Sequence, residues 1–162
     1  MTTYDPDTVS GEGWSAAARA RGAVARVDLG ALQSNVERCR EIAAGAQVMA
    51  VVKADAYGHG MVPCARAALA AGATWLGTAL LDEAIALRDA GVGGRILAWL
   101  GVPGGRFQEC LAREIDVSVS APFMLDEVLA AAVRLDRKAR VHLKVDSGLS
   151  RNGVTRDDWP AL

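Results

Sequence analysis

The stretch Gln47–Leu80, QVMAVVKADAYGHGMVPCARAALAAGATWLGTAL, decides the fold. Its opening, Gln47–Lys53, is almost continuously apolar, as a strand buried on both faces should be. Val62–Ala71 is helical by composition and stops at Gly72. Thr74–Leu80 (TWLGTAL) is apolar again and reads as the next strand. Strand, helix, strand over this length is a βαβ unit, which places the two strands parallel.

The pattern continues toward the C-terminus. Asp82 can cap a helix over Glu83–Ala90 that ends at Gly91. Arg95–Gly101 (RILAWLG) is a strand, Phe107–Arg113 a short helix and Asp116–Ser120 (DVSVS) a strand. Pro122–Leu135 is a helix opened by proline, where a missing N–H costs little. Val141–Asp146 (VHLKVD) is the last strand. Toward the N-terminus, Ala31–Ala44 places Leu32, Val36, Cys39 and Ala43 near one helical face. Val24–Leu29 (VARVDL) reads as a short strand before it, and residues 1–23 as a flexible tail.

Strand starts recur every 20–27 residues or so, the size of a βα unit rather than a sign of a solenoid. The expectation is an α/β fold: part of a parallel (β/α)8 TIM-type barrel over residues 24–162. About five barrel strands are present, preceded by one N-terminal strand. A closed barrel needs eight, and here the alternation stops after a strand and a loop. The chain therefore reads as the front part of something longer. An open five- or six-stranded sheet is the alternative.

Composition narrows the function. The 162 residues carry 18 Lys+Arg against 19 Asp+Glu, a balance that argues against a polybasic nucleic-acid or membrane-surface protein. With 51% hydrophobic and 23% charged residues, a disordered chain is excluded. Cys39, Cys64 and Cys110 are scattered and form no CxxC pair, which suits a reduced, cytoplasmic protein. Met1–Trp14 lacks the basic start and apolar run of a secretory signal. No apolar run approaches the roughly 20 residues of a membrane span. His59 and His142 are far apart and have no ligand-spaced cysteines, so no metal is expected. Gly91, Gly93 and Gly94 do not make a dinucleotide loop, and they precede a strand instead of following one.

Two segments can carry chemistry. In the first, the strand Gln47–Lys53 ends in a lysine and runs into Tyr57, Gly58, His59 and Gly60. Active sites collect at the C-terminal ends of parallel strands. Partial desolvation there favours a neutral amine, which can attack an aldehyde to form a Schiff base. The plainer alternative is that Lys53 snorkels to solvent and Tyr57 caps the core. In the second segment, Lys144 and Asp146 share one face of a strand and Arg151 follows in the loop. Parallel topology puts that loop at the same end of the sheet as Lys53. The plainer alternative here is a solvated Lys–Asp pair.

AVVKADAYGHG (Ala50–Gly60) and HLKVDSGLSRNG (His142–Gly153) resemble alanine racemase, a pyridoxal phosphate enzyme of the barrel group called fold type III. ARVDLGALQSNVE (Ala25–Glu37) resembles the opening strand and helix of that family. The resemblance runs from about Val24 to Leu162. The AYGHG loop is specific, because barrel relatives such as basic amino-acid decarboxylases keep the lysine without it. The resemblance implies that Lys53 holds pyridoxal phosphate as a Schiff base and moves the substrate Cα proton on one face. It implies that Tyr57 binds the cofactor phosphate. Arg151 would contact the cofactor's phenolic oxygen and orient the substrate carboxylate, and Lys144 would be a lysine that the family often carbamylates. Asp55 and His59 would have supporting roles. Ser147 stands where the family more often has threonine, and both carry a hydroxyl.

The implied activity is interconversion of L- and D-alanine for peptidoglycan, by a cytoplasmic homodimer that engages neither nucleic acid nor membrane. The family's second base is a tyrosine of a C-terminal β-domain, donated by the partner subunit. No such domain is expected within these 162 residues, whose tyrosines are Tyr4 and Tyr57. The isolated chain is therefore expected to be nearly inactive. A serine or broad-spectrum racemase on the same scaffold, or a non-catalytic pyridoxal phosphate-binding fragment, are the alternatives.

Overall fold

The computed structural model describes residues 25–162. Residues 1–23, read above as a tail, lie outside that range. The chain enters through helix α1 (Leu29–Ile42), and Asp28 accepts a hydrogen bond from the Ala31 N–H at 3.0 Å to cap it. That cap corrects the N-terminal strand expected over Val24–Leu29. Residues 25–28 form no ladder, and Leu29 is already helical. An aspartate at this point satisfies an orphan helix N–H, while among the described residues no neighbouring strand pairs with residues 25–28.

The strands are β1 (Met49–Val51), β2 (Trp75–Leu80), β3 (Arg95–Leu100), β4 (Asp116–Val119) and β5 (Val141–Leu143). They form one sheet in sequence order with every neighbouring pair parallel. Between them run α2 (Met61–Ala70), α3 (Leu81–Asp89), α4 (Phe107–Ala112) and α5 (Pro122–Leu135). This is the βα order expected of a partial barrel. β1 and β5 are shorter than their apolar runs, although the Val52 N–H still donates to the Gly77 carbonyl at 2.9 Å.

The sheet's two faces differ as the two-residue strand period requires. Leu76, Ile96, Ala98, Val117 and Val119 face the helices and are almost wholly buried with Leu87, Phe107, Cys110 and Val128. The other face carries Trp75, Arg95, Asp116 and His142. Gly77 belongs to this face too, where an added Cβ would come within 2.8 Å of the Trp99 ring. Among the described residues, no helix is long and apolar enough to cross a membrane.

Candidate active site

Lys53 stands where the sequence places it, at the C-terminal end of β1, and it is half-buried. The backbone after it is unexpected. Ala54, Asp55, Ala56 and Tyr57 all have φ between 51° and 56°, so four consecutive non-glycine residues form a left-handed turn within Lys53–Gly58. Left-handed helical geometry costs an L-residue about 1–2 kcal/mol, so the turn stores several kcal/mol that its surroundings must offset.

The anchors are visible. The Ala56 N–H donates to the Val52 carbonyl at 2.9 Å, and the Gly60 N–H to the Asp55 carbonyl at 3.0 Å. The Asp55 carboxylate accepts from the Met61 N–H at 2.7 Å, fastening the turn to the start of α2. His59 Nδ1 lies 2.8 Å from the Ala56 carbonyl oxygen, so its imidazole is held by its own loop. On the opposite side, Glu83 Oε1 accepts from the Ala54 N–H at 2.7 Å. Glu83 Oε2 accepts from Ala79 and Leu80 N–H at 2.9 and 3.0 Å. Asp82, the expected cap of α3, instead pairs with Arg106 at 2.8 Å. The turn leaves Tyr57 71% exposed, with its ring centroid 5.7 Å from the Lys53 ammonium.

The second segment is at the other edge of the sheet. Lys144 is half-buried just past β5, its N–H donating to the Val119 carbonyl at 2.9 Å. Asp146 does not pair with Lys144 or Arg151. Its carboxylate accepts from Gly148 and Ser150 N–H at 2.9 and 3.0 Å, and those bonds hold its pKa below the ordinary aspartate value. Arg151 is exposed and makes no ion pair among the described residues. Lys53 and Arg151 therefore share the C-terminal end of the sheet but follow its two outermost strands, β1 and β5. The sheet curves between them: the rings of Trp75 on β2 and His142 on β5 meet edge-on with centroids 5.5 Å apart. The lysine and tyrosine of the first segment lie together on one turn, while Lys144 and Arg151 follow the strand at the other edge of the sheet.

Asp116 was not singled out by its sequence. It is fully buried and takes Arg95 at 2.6 Å and Arg140 at 2.5 Å, with His142 3.6 Å away. Arg95 also stacks on Trp75 at 3.8 Å. These residues sit at the N-terminal ends of their strands, the end that serves stability in this architecture.

A parallel βα sheet with a lysine at the mouth end of its first strand defines the class: a segment of a lysine-bearing (β/α) barrel. Residues 27–162 match the family described as alanine racemase, N-terminal domain. The chain is 59% identical over 136 residues to an alanine racemase of Beutenbergia cavernae, covering 84% of this chain and 36% of the relative. It is 55% identical over 139 residues to one of Thermobifida fusca, covering 86% of this chain and 37% of the relative. The crystal structure of alanine racemase from D-cycloserine-producing Streptomyces lavendulae superposes with a TM-score of 0.82 at 54% identity. That superposition covers 83% of this chain and 35% of the other. The chain belongs to the alanine racemase family and spans little more than a third of the length of these relatives.

Proposed function

We propose that this chain carries the lysine half of an alanine racemase active site, working with pyridoxal phosphate to interconvert L- and D-alanine. The carrying observation is Lys53 at the end of β1, held beside Tyr57 by an anchored left-handed turn. The donor set fits the cofactor's chemistry. An amine suits its aldehyde, and a phenol and an unpaired guanidinium suit its anionic groups.

Lys53 would hold the cofactor and take or return the substrate Cα proton on one face. Tyr57 would bind the phosphate. Arg151 would hold the phenolic oxygen and the substrate carboxylate, its planar fork matching a carboxylate as a point charge cannot. Because Asp146 spends its carboxylate on its own loop, a carbamate on Lys144 is the anion that would orient Arg151. The bound cofactor supplies the electron sink that acidifies the Cα–H bond. Residues 24–162 would form the front part of the barrel, and the complete enzyme would be a cytoplasmic homodimer feeding peptidoglycan synthesis.

The test is borohydride trapping with pyridoxal phosphate, followed by peptide mapping and by D/L chromatography of alanine with this segment joined to the remainder of a full-length relative. An adduct on Lys53, lost in Lys53→Ala, supports the assignment. An adduct on Lys144 instead overturns it, and an unmodified Lys144 in the active enzyme removes the carbamate.

A further inference from the structure

We infer that Glu83 is a positioning residue for Lys53. The inference rests on reading Lys53 as the amine that takes the cofactor aldehyde. The residue directly after Lys53 is Ala54, whose N–H donates to Glu83 Oε1 at 2.7 Å. The other oxygen of the same carboxylate holds the Ala79 and Leu80 N–H groups, where β2 passes into α3. Three backbone donors converge on one side chain, and a carboxylate has acceptor sites for all three and no donor of its own. Glu83 makes no ion pair among the described residues, so backbone N–H groups are its recorded partners.

The two oxygens have separable duties. Oε2 staples the start of α3, as a glutamate near a helix N-terminus commonly does. Oε1 reaches a different element and fixes the first residue of the left-handed turn. With Asp55 tying the turn's far end to α2, Glu83 ties its near end to the neighbouring strand. The Lys53 amine and the Tyr57 ring hang from a backbone clamped at both ends. Releasing the near end lets the turn relax from its left-handed geometry and moves the amine off its position at the strand end.

The chain's own lysines provide the readout, since Lys53, Lys138 and Lys144 are the only ones. Lys138 is exposed and serves as an internal reference. The 162-residue chain is incubated with pyridoxal phosphate and borohydride. The amine adds to the aldehyde with loss of water, hydride reduces the resulting double bond, and peptide mapping gives the Lys53:Lys138 ratio. Glu83→Gln keeps one acceptor oxygen but must turn an amide NH2 toward one set of donors. It should lower the ratio about tenfold, the scale of one lost charge-assisted hydrogen bond, and should speed amide exchange at Ala54. Glu83→Asp keeps the charge, falls one methylene short of Ala54, and should also lower the ratio if Glu83→Gln fails to fold. Asp28→Ala removes a comparable cap on α1 without touching the turn, and should leave the ratio unchanged. An unchanged ratio in a folded Glu83 variant overturns the proposal, as does an equal fall in Asp28→Ala. Even labelling of the three lysines in the unsubstituted chain instead defeats the reading of Lys53 itself.

Discussion

Asp146 illustrates how a residue's chemistry can be spent locally. Its place two residues after Lys144 on one strand face made it a possible partner for that lysine, but two backbone N–H groups claim the carboxylate. Those bonds need the charged form, so the folded pKa lies below the ordinary aspartate value, with the Gly148 N–H the largest cause. A depressed pKa gives the loop a stabilisation that is complete above the unfolded value and lost as pH falls through the folded one. The Gly148 and Ser150 amide shifts should therefore hold steady at about pH 5 and move only below the ordinary carboxyl range of about 3.9. In Asp146→Asn that movement should disappear. Cysteine chemistry is equally local. Burial pushes the Cys110 thiol up to about 12, and burial followed by nearby Asp55 raises that of Cys64, while Cys39 is exposed. A disulfide reagent at neutral pH should titrate one thiol quickly in the folded chain and all three in denaturant. Two thiols reacting at once in the folded state would contradict the packing around α2 and α4.

At the level of elements, most of the architecture was legible because each helix carries its own stop and each strand its own apolar run. Gly72 and Gly91 mark the ends of α2 and α3, and Pro122 opens α5. What could not be read depends on partners distant in sequence. VARVDL has strand character, yet Asp28 turns it into a helix start. Ala54–Tyr57 gives no sign of left-handedness, since alanines favour the right-handed helix and no glycine marks the reversal. Glu83 and Asp55 hold that geometry from outside the run. The turn predicts an inverted substitution effect. In an ordinary helix Ala→Gly costs about 1 kcal/mol. At exposed Ala54, with φ 51°, glycine removes the left-handed penalty, and Ala54→Gly should be neutral or stabilising by up to about 1 kcal/mol. Urea unfolding of the chain and the variant measures the sign. A loss of about 1 kcal/mol would mean that the turn is not left-handed in solution. The Asp116 cluster was hidden for the same reason: Arg95, Asp116 and Arg140 meet only when three strands are in register.

The whole molecule sets the limit on what residues 1–162 can do by themselves. Racemisation requires a proton to leave one face of a planar carbon and another to arrive on the opposite face. On the proposed reading, Lys53 would serve the face it lies on. The one tyrosine among the described residues, Tyr57, sits on the same turn, so it cannot supply the opposite face. Lys144 and Arg151 follow β5, the outermost strand opposite β1, and both are cations that this reading assigns to holding the cofactor and substrate. The exposure of Tyr57 and Arg151 leaves the rim open to water, which weakens every electrostatic contact made there. A polypeptide of residues 1–162 loaded with pyridoxal phosphate should therefore racemise alanine at least about 10³-fold more slowly than a full-length relative, comparable with losing one general acid–base group. One-faced proton transfer should survive as slow exchange of the Cα proton with solvent, favouring one enantiomer, and Lys53→Ala should abolish it. Deuterium exchange followed by NMR, with D/L chromatography on the same samples, separates the two activities. Fast and equal interconversion of both enantiomers would require a second base within these 162 residues, and the one-sided site derived from Lys53 would be wrong.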